Sequence, residues 1–307
     1  MKKEIWQITL VVMVLCVILS FSSACTGINA LGSVSGVNIS NTTQPTEAAT
    51  LTTTATTVPS TNTPAPSTTP VPTIAPTLVP IQIKAGQDVT VPILLYHHIA
   101  DDSTGNRYFV SPAVFEAQMK WLSDNHYQTI TITQLANVII YGGQLPARAV
   151  AITFDDGNQD VVKNAFPIMQ KYGFIGTAYI IVSWVGAVGY DTADQIAQLH
   201  NAGWEIGSHT MSHVDLTKHE DNLEYEVRNS LIELDKKYGV EVKSLAYPFG
   251  LIDPKVVTYT AHAGYKSGVG LGTSVKQGLS DLYYLSRMEV RQEYSMDQFI
   301  ALLPWKN

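Results

Sequence analysis

Cysteine is nearly absent from this chain. The only two cysteines among its 307 residues, Cys16 and Cys25, lie close to the N-terminus. The rest of the chain therefore has no means of forming a disulfide framework or a thiolate metal site. Any metal bound there must be held by histidine, aspartate or glutamate.

Basic charge is sparse and does not cluster. The chain has 19 Lys and Arg residues against 26 Asp and Glu residues, a net charge of −7 and a pI near 5.6. This balance predicts no nucleic-acid partner.

Hydrophobic residues make up 45% of the chain, which is enough for two average domains or for one α/β barrel with additions.

The first 25 residues are typical of an export signal. Lys2 and Lys3 precede an apolar run from Ile8 to Phe21, and small residues lead to Cys25. The match to a bacterial lipoprotein signal is partial, because Ser22 stands where leucine is usual. Lipidation of Cys25, simple cleavage and an uncleaved membrane anchor all stay open. Each of the three places the remainder outside the cytoplasmic membrane.

Residues 26–80 are expected to be a disordered linker. Thr, Pro, Ala and Ser dominate from Ser40 to Pro80. Such a segment buries too little apolar surface to offset the entropy of ordering it, and proline keeps it extended. We therefore expect a semi-rigid tether in front of a domain that spans residues 81–307.

From Ile81 onward, strand-like apolar runs alternate with helical patterns. Strands are predicted at 91–96, 127–132, 149–154, 176–182, 204–207, 242–247, 266–269 and 285–290. Helices are predicted from the Ser111-Pro112 start and at 133–140 (capped by Thr133), 160–172, 192–201, 222–238, 254–263 and 296–303. The alternation favours a parallel sheet covered on both faces, and one α/β barrel fits best.

Two short segments carry the chemistry. In Thr153-Phe154-Asp155-Asp156-Gly157, adjacent carboxylates follow an apolar strand, so they point in different directions and one can bind a metal while the other faces a substrate. A helix cap is the structural alternative.

About fifty residues later, His209 and His213 stand at i and i+4. Two neutral imidazoles and a carboxylate leave coordination positions open, as hydrolytic metal sites require. The alternative is a pair of solvated or core histidines, and the aspartate pair at an earlier strand end weighs against it. The candidates follow predicted strand C-termini, where barrels carry their active sites.

These segments resemble the T-F-D-D-G and H-[ST]-x-x-H signature motifs of the polysaccharide deacetylases, the family 4 carbohydrate esterases. The resemblance covers roughly Val91 to Val290 and includes the run from Gly203 to Ser208. It is closest to an exported subgroup whose first strand ends in Tyr-His, as the stretch from Val91 to Ile99 does. It implies a distorted (β/α) barrel of the polysaccharide deacetylase type.

The resemblance also implies roles for individual residues. Asp155 would be the general base, and Asp156, His209 and His213 would hold a divalent metal, with Zn²⁺ the expected ion. The backbone N–H of Phe249 would help to hold the oxyanion, because Leu245 to Gly250 matches the family's third motif.

The chain departs from the family pattern in two places. Ala246 replaces the arginine that orients the base, and Arg287 or Arg291 is expected to take its place. The late Leu-x-His motif that usually supplies the general acid is missing. His97 is the candidate acid, because the first strand of a barrel neighbours the last; the alternative is a structural histidine. His98 should point elsewhere.

Other candidates are weaker. Four histidines are expected to be solvated or structural: His126, His200, His219 and His262. Three aromatic residues suit either a sugar groove or the core: Trp184, Tyr190 and Trp204.

The main hypothesis is a secreted or surface-tethered, metal-dependent enzyme that removes N-acetyl groups from N-acetylglucosamine units of a wall or matrix polysaccharide. An O-acetyl esterase acting on xylan or another glycan is an alternative, because both reactions pass through a tetrahedral oxyanion. A non-catalytic glycan-binding surface protein is the other. The expected partner is an acetylated polysaccharide, and membrane contact is expected only through the N-terminal segment or its lipid.

Overall fold

The computed structural model describes residues 78–306. Its strands are β1 (Ile81–Ile83), β2 (Val89–Thr90), β3 (Ile93–Tyr96), β4 (His98–Ile99), β5 (Phe109–Val110), β6 (Gln128–Thr129), β7 (Gly143–Leu145), β8 (Ala149–Phe154), β9 (Thr177–Ile180), β10 (Glu205–Ser208), β11 (Ser244–Ala246), β12 (Ser267–Val269), β13 (Lys276–Gln277) and β14 (Met288–Glu289). Its α-helices are α1 (Pro112–Asp124), α2 (Ile132–Tyr141), α3 (Phe166–Lys171), α4 (Ala193–Asn201), α5 (Ser230–Tyr238), α6 (Pro254–Ala263) and α7 (Met296–Ala301).

A curled parallel sheet organises these elements. Its strand order is β14-β3-β8-β9-β10-β11-β12, and β6 also pairs with β8. A parallel bridge between Val269 and Leu285 links β12 to the segment that enters β14, so the two ends of the sheet meet. The predicted α/β barrel is confirmed, and its first central strand does neighbour its last.

Both faces of the sheet are buried, as the apolar strands predicted. Along β3 and β8, neighbouring residues alternate between two hydrophobic clusters: Leu94 and Ile152 belong to one, Ile93 and Ala151 to the other. This is the period of two that a strand imposes on its side chains. All six residues of β8 are buried. The strands are therefore fixed from both sides, and the loops at their carboxyl ends start from rigid positions.

The structure confirms one predicted helix cap and corrects another. Ser111 caps α1 by accepting a hydrogen bond from the backbone of Val114, as predicted. The predicted cap at Thr133 is wrong. Thr131 caps α2, because Gln134 three residues later completes a reciprocal capping box. Thr133 lies inside the helix, where its hydroxyl and N–H donate to the carboxylate of Glu205. The early helix start also shortens the predicted strand at 127–132.

The predicted export segment and nearly all of the predicted linker lie outside the described residues. Within residues 78–306, no helix is long and apolar enough to cross a membrane.

Candidate active site

Loops at the carboxyl ends of four strands meet in one cleft. His97 follows β3, Asp155 follows β8, His209 follows β10, and the Pro248–Gly250 turn follows β11. Together with Arg287 they line a cleft of about 340 Å³. This is the end of the barrel at which the sequence placed the candidates.

The two neighbouring aspartates diverge because the chain turns sharply between them. The N–H of Asp155 donates to the carbonyl of Tyr96 at 3.0 Å, which keeps Asp155 in register with β3. Asp156 and Gly157 then adopt left-handed conformations, with φ of 75° and 74°. Neither carboxylate caps the next helical segment, whose cap position is Asp160. The helix-cap alternative is therefore excluded.

Asp155 forms a buried, bidentate ion pair with Arg287. Arg287 Nη1 and Nη2 lie 2.6 and 2.7 Å from the two carboxylate oxygens, and both side chains are almost fully buried. Burial alone would raise the pKa of Asp155, but the charge and hydrogen bonds of Arg287 outweigh it and lower the pKa. Asp155 is therefore ionised at neutral pH, with its oxygens fixed in direction.

Arg287 is itself held from several directions. Its Nε donates to the carbonyl of Gly270 at 3.1 Å, and Nη1 also donates to Thr153 Oγ1 at 3.3 Å. Of the two arginines expected near the base, Arg291 does not reach it; Arg291 pairs with Glu289 and Glu293. The last strand of the barrel thus supplies an arginine to the carboxylate at the end of β8.

Asp156, His209 and His213 form a group that fits a metal ion. One ligand atom from each lies within 4.8 Å of the others, and Asp156 Oδ1 is 3.6 Å from Nε2 of both histidines. His209 Nδ1 lies 2.8 Å from the carbonyl of Ala246. A carbonyl accepts only from a protonated nitrogen, so Nε2 carries the lone pair and faces Asp156. Ala246, which stands where the motif arginine was expected, therefore orients His209 through its backbone carbonyl.

The electrostatics of this group also favour a cation. Burial, followed by the nearby charge of Asp155, raises the pKa of Asp156 to about 7. Burial lowers the pKa of His209 to about 3 and lowers that of His213, so both imidazoles are neutral at neutral pH. A carboxylate whose pKa is raised by burial and by a neighbouring negative charge, beside two neutral imidazoles, is a donor set that suits a divalent metal.

His97 lines the same cleft, on the side of β3. Its ring lies 4.5 Å from the ring of Tyr108, and its buried Nδ1 has no hydrogen-bond partner among the described residues. Burial lowers the pKa of His97 to about 4, so the resting imidazole is neutral. His98 turns to Asp160, with its Nδ1 2.7 Å from a carboxylate oxygen.

Phe249 lies in a strained turn beside the metal group. Its φ is 60°, its ring is 57% exposed, and the ring centroid is 4.7 Å from that of His213. Its backbone N–H donates no hydrogen bond within residues 78–306. That N–H is therefore free to donate to a substrate oxygen.

The weaker candidates fall into three groups: a core residue, an aromatic pair near His213, and exposed histidines. Trp204 is buried and stacks on Phe154, so it belongs to the core. Trp184 and Tyr190 pack on each other, and Trp184 lies 6.0 Å from His213. The four remaining histidines are all exposed: His126, His200, His219 and His262.

Sequence reasoning missed three residues around the cleft. Tyr108 packs on His97, Glu226 holds the loop between His209 and His213, and Asp191 is a buried carboxyl beside the aspartate turn. None stands in a motif. Only an acidic residue on the apolar face of a predicted helix, as at Glu226, offered a signal.

Comparison with known proteins gives a consistent result. A family model described as polysaccharide deacetylase matches residues 142–268. The chain is 30% identical over 222 residues to YxkH of Bacillus subtilis (strain 168), which carries the name of a polysaccharide deacetylase; the alignment covers 72% of this chain and 78% of that protein. It is 29% identical over 203 residues to the poly-beta-1,6-N-acetyl-D-glucosamine N-deacetylase of Staphylococcus aureus (strain MRSA252), covering 61% of this chain and 69% of that one.

Solved structures agree. The crystal structure of BA0330 from Bacillus anthracis, described as a polysaccharide deacetylase, matches with a TM-score of 0.64 and 32% identity, covering 70% of this chain and 69% of that one. This agreement in sequence and in fold shows that the chain belongs to the polysaccharide deacetylase family, whose members are hydrolases that act on amide bonds.

Proposed function

We propose that this protein removes N-acetyl groups from N-acetylglucosamine units of a cell-surface or matrix polysaccharide. One observation carries the proposal: the Asp155–Arg287 ion pair opens into the same cleft as the Asp156, His209 and His213 group. The name of the Staphylococcus aureus relative supports N-acetylglucosamine as the substrate unit.

Deacetylases of this family generally depend on a divalent metal, and we propose that Asp156, His209 and His213 hold it, with Zn²⁺ the native ion. When bound, such a metal polarises the acetyl carbonyl and lowers the pKa of water. His209 contributes Nε2 because Ala246 holds its other nitrogen.

Asp155 is proposed as the general base. Arg287 lowers the pKa of Asp155, so this carboxylate is a weak base on its own and requires a water that has been made more acidic. Arg287 also fixes the direction in which the carboxylate accepts the proton. The arginine is thus a positioning residue, acting through Asp155.

His97 and the backbone N–H of Phe249 are proposed to act on the substrate side. The free N–H of Phe249 would donate to the developing oxyanion. His97 is neutral at rest, and its proton affinity would rise as negative charge builds in the tetrahedral intermediate beside it, so that it takes up a proton from solvent in the open cleft. It would then pass that proton to the departing amine.

We also propose that the enzyme works outside the cytoplasmic membrane. The export signal in residues 1–25 and the Thr/Pro-rich linker in residues 26–80 support a secreted protein, or one anchored to the outer face of the membrane, whose catalytic domain is residues 81–307.

The test is a panel of acetate-release assays. Purified protein is incubated with acetylated chito-oligomers, poly-β-1,6-N-acetylglucosamine and acetylated xylan, with chelator and after addition of Zn²⁺. We expect release from an N-acetylated glycan that the chelator abolishes and zinc restores. Release from acetylated xylan alone would establish an O-acetyl esterase instead. Metal binding without release from any glycan would refute catalysis.

A further inference from the structure

The loop between the two histidine ligands has a strained backbone. Thr210 and His213 adopt left-handed conformations, with φ of 68° and 62°. A non-glycine residue in this conformation is strained and persists only when its surroundings hold it in place. The direction of the His213 ring therefore depends on whatever fixes this loop.

Glu226 is the residue that holds the middle of the loop. Its carboxylate accepts two hydrogen bonds from Ser212, from the backbone N–H at 3.0 Å and from Oγ at 2.6 Å. Its carbonyl accepts a third from the N–H of Met211 at 3.1 Å. These three hydrogen bonds connect one residue to the two positions immediately before His213.

The carboxylate of Glu226 is buried, and the hydrogen bonds that it accepts come from the loop. Glu226 is 1% exposed, and within residues 78–306 no lysine or arginine forms an ion pair with it. A buried carboxylate is costly unless hydrogen bonds satisfy it, and here the donors come from the loop. Glu226 lies in the wide π-helical turn Glu224–Asn229 that leads into α5; such turns are frequent at functional sites.

Glu224 offers a natural contrast in the same turn. It is exposed and bonds to Tyr259 and Arg228, away from the loop. Two glutamates two positions apart thus differ in burial and in contact with the loop. This gives a matched pair for experiment.

We propose that Glu226 is a positioning residue of the metal centre: by fixing Ser212 it holds Nε2 of His213 beside Asp156, and so sets metal affinity. The inference rests on the ligand set of the proposed function. It concerns binding of the metal by the protein and makes no demand on the glycan.

The experiment measures Zn²⁺ affinity of the metal-free protein by competition with a chromophoric chelator, with no substrate present. Three variants are compared with the parent: Glu226→Gln, Ser212→Ala and Glu224→Gln. We expect Glu226→Gln to weaken Zn²⁺ binding by about 10- to 100-fold, the usual effect of losing a partner in the outer shell of a metal site. Glu224→Gln should bind Zn²⁺ as the parent does.

Ser212→Ala keeps the backbone hydrogen bond and removes only the hydroxyl, so a smaller loss of affinity is expected. Its effect should largely vanish in the Glu226→Gln background, because both changes break the same contact. Should Glu226→Gln not fold, Ser212→Ala still decides the question. Thermal unfolding of each metal-free variant separates loss of fold from loss of affinity.

Parent-like zinc affinity in both Glu226→Gln and Ser212→Ala would overturn the proposal. A large loss of turnover in Glu226→Gln at saturating zinc, with affinity unchanged, would overturn it as well. A parent protein that binds zinc but releases no acetate would refute the proposed function while leaving this inference standing.

Discussion

The cleft has two sides that differ in how the chain builds them. Asp156, His209 and His213, here called the metal side, come from motifs at the ends of β8 and β10 and lie within the family match at 142–268. His97 and Arg287, here called the closure side, come from β3 and from the entry to β14, and both lie outside that match. The residues of the metal side stand in sequence motifs, whereas those of the closure side come together because the first and last strands of the barrel pair.

The difference shows which residues of such a site can be supplied from different positions in the sequence. Two histidines four positions apart depend on one loop, so their spacing is fixed. An arginine that orients a carboxylate needs only to reach it, and any strand end around the barrel can supply it. Here Arg287 does so while the usual position holds Ala246. Variants on the two sides should therefore fail in different ways.

The largest effect is expected on the metal side, from His209→Ala. Removing one of three ligands should abolish stable zinc binding and lower turnover by more than about 1,000-fold, because the lowered pKa of water is lost with the metal. Zinc content by atomic absorption and acetate release check this. His200→Ala, at an exposed histidine, is the control. Full zinc content in His209→Ala would show that this side is not the metal site.

On the closure side, His97→Gln should keep zinc and lose turnover. A general acid contributes about 100- to 10,000-fold, so we expect kcat to fall by at least about 100-fold with zinc affinity unchanged. The measurements are kcat on an N-acetylated oligomer and zinc content of the same preparation. His262→Gln controls for the loss of a histidine. Near-parental kcat would make His97 a structural residue.

Arg287→Lys should give a milder loss of the same kind. Lysine keeps the positive charge but not the planar fork that grips both oxygens of Asp155, so the base is misdirected rather than neutralised. We expect kcat to fall by about 10- to 100-fold, with zinc retained. Arg291→Lys, whose parent side chain pairs with Glu289 and Glu293, is the matched control. Equal kcat in the two variants would remove Arg287 from the positioning role.

The smallest effect concerns Asp191, a buried carboxyl on neither side. Asp155 has Arg287, whereas both oxygens of Asp191 lack a partner among the described residues. Burial first, and the charge of Asp160 second, raise the pKa of Asp191 to about 8 from 3.8. Between these values the folded protein holds a proton that the unfolded chain has released. The free energy of unfolding therefore falls as pH rises from about 4 to about 8.

Asp191→Asn removes this titration and should stabilise the protein at pH 7.5 by about 1–3 kcal/mol, with a smaller gain at pH 4.5. Urea unfolding at the two pH values measures the difference. Asp194→Asn, at an exposed position in the first turn of α4, is the control. An equal effect of Asp191→Asn at both pH values would contradict the assigned pKa.

The sequence predicted most of what depends on local pattern. The alternation of strands and helices predicted the barrel. The motif spacing predicted four residues that the structure brings together in one cleft: Asp155, Asp156, His209 and His213. Helix starts were less secure, since Thr131 and Thr133 are both plausible caps and only Gln134 decides between them. Patterns of this kind are readable because cause and effect lie within a few residues.

Long-range pairing was harder to predict. Arg287 and Arg291 were equivalent in the sequence, and only the register of β14 against β3 shows which one turns inward to Asp155. The contact of Glu226 with Ser212 depends on how the turn before α5 packs on the loop. The apolar face of the predicted helix sets Glu226 apart from the exposed Glu224, but no local pattern shows which loop the carboxylate of Glu226 contacts.

Closure of the barrel by β14 has a consequence for Asp155, the proposed base. Arg287 stands directly before β14, so the pairing of β14 with β3 brings its guanidinium to Asp155. A barrel without its last strand would keep the proposed metal ligands and lose the arginine that directs the carboxylate of Asp155.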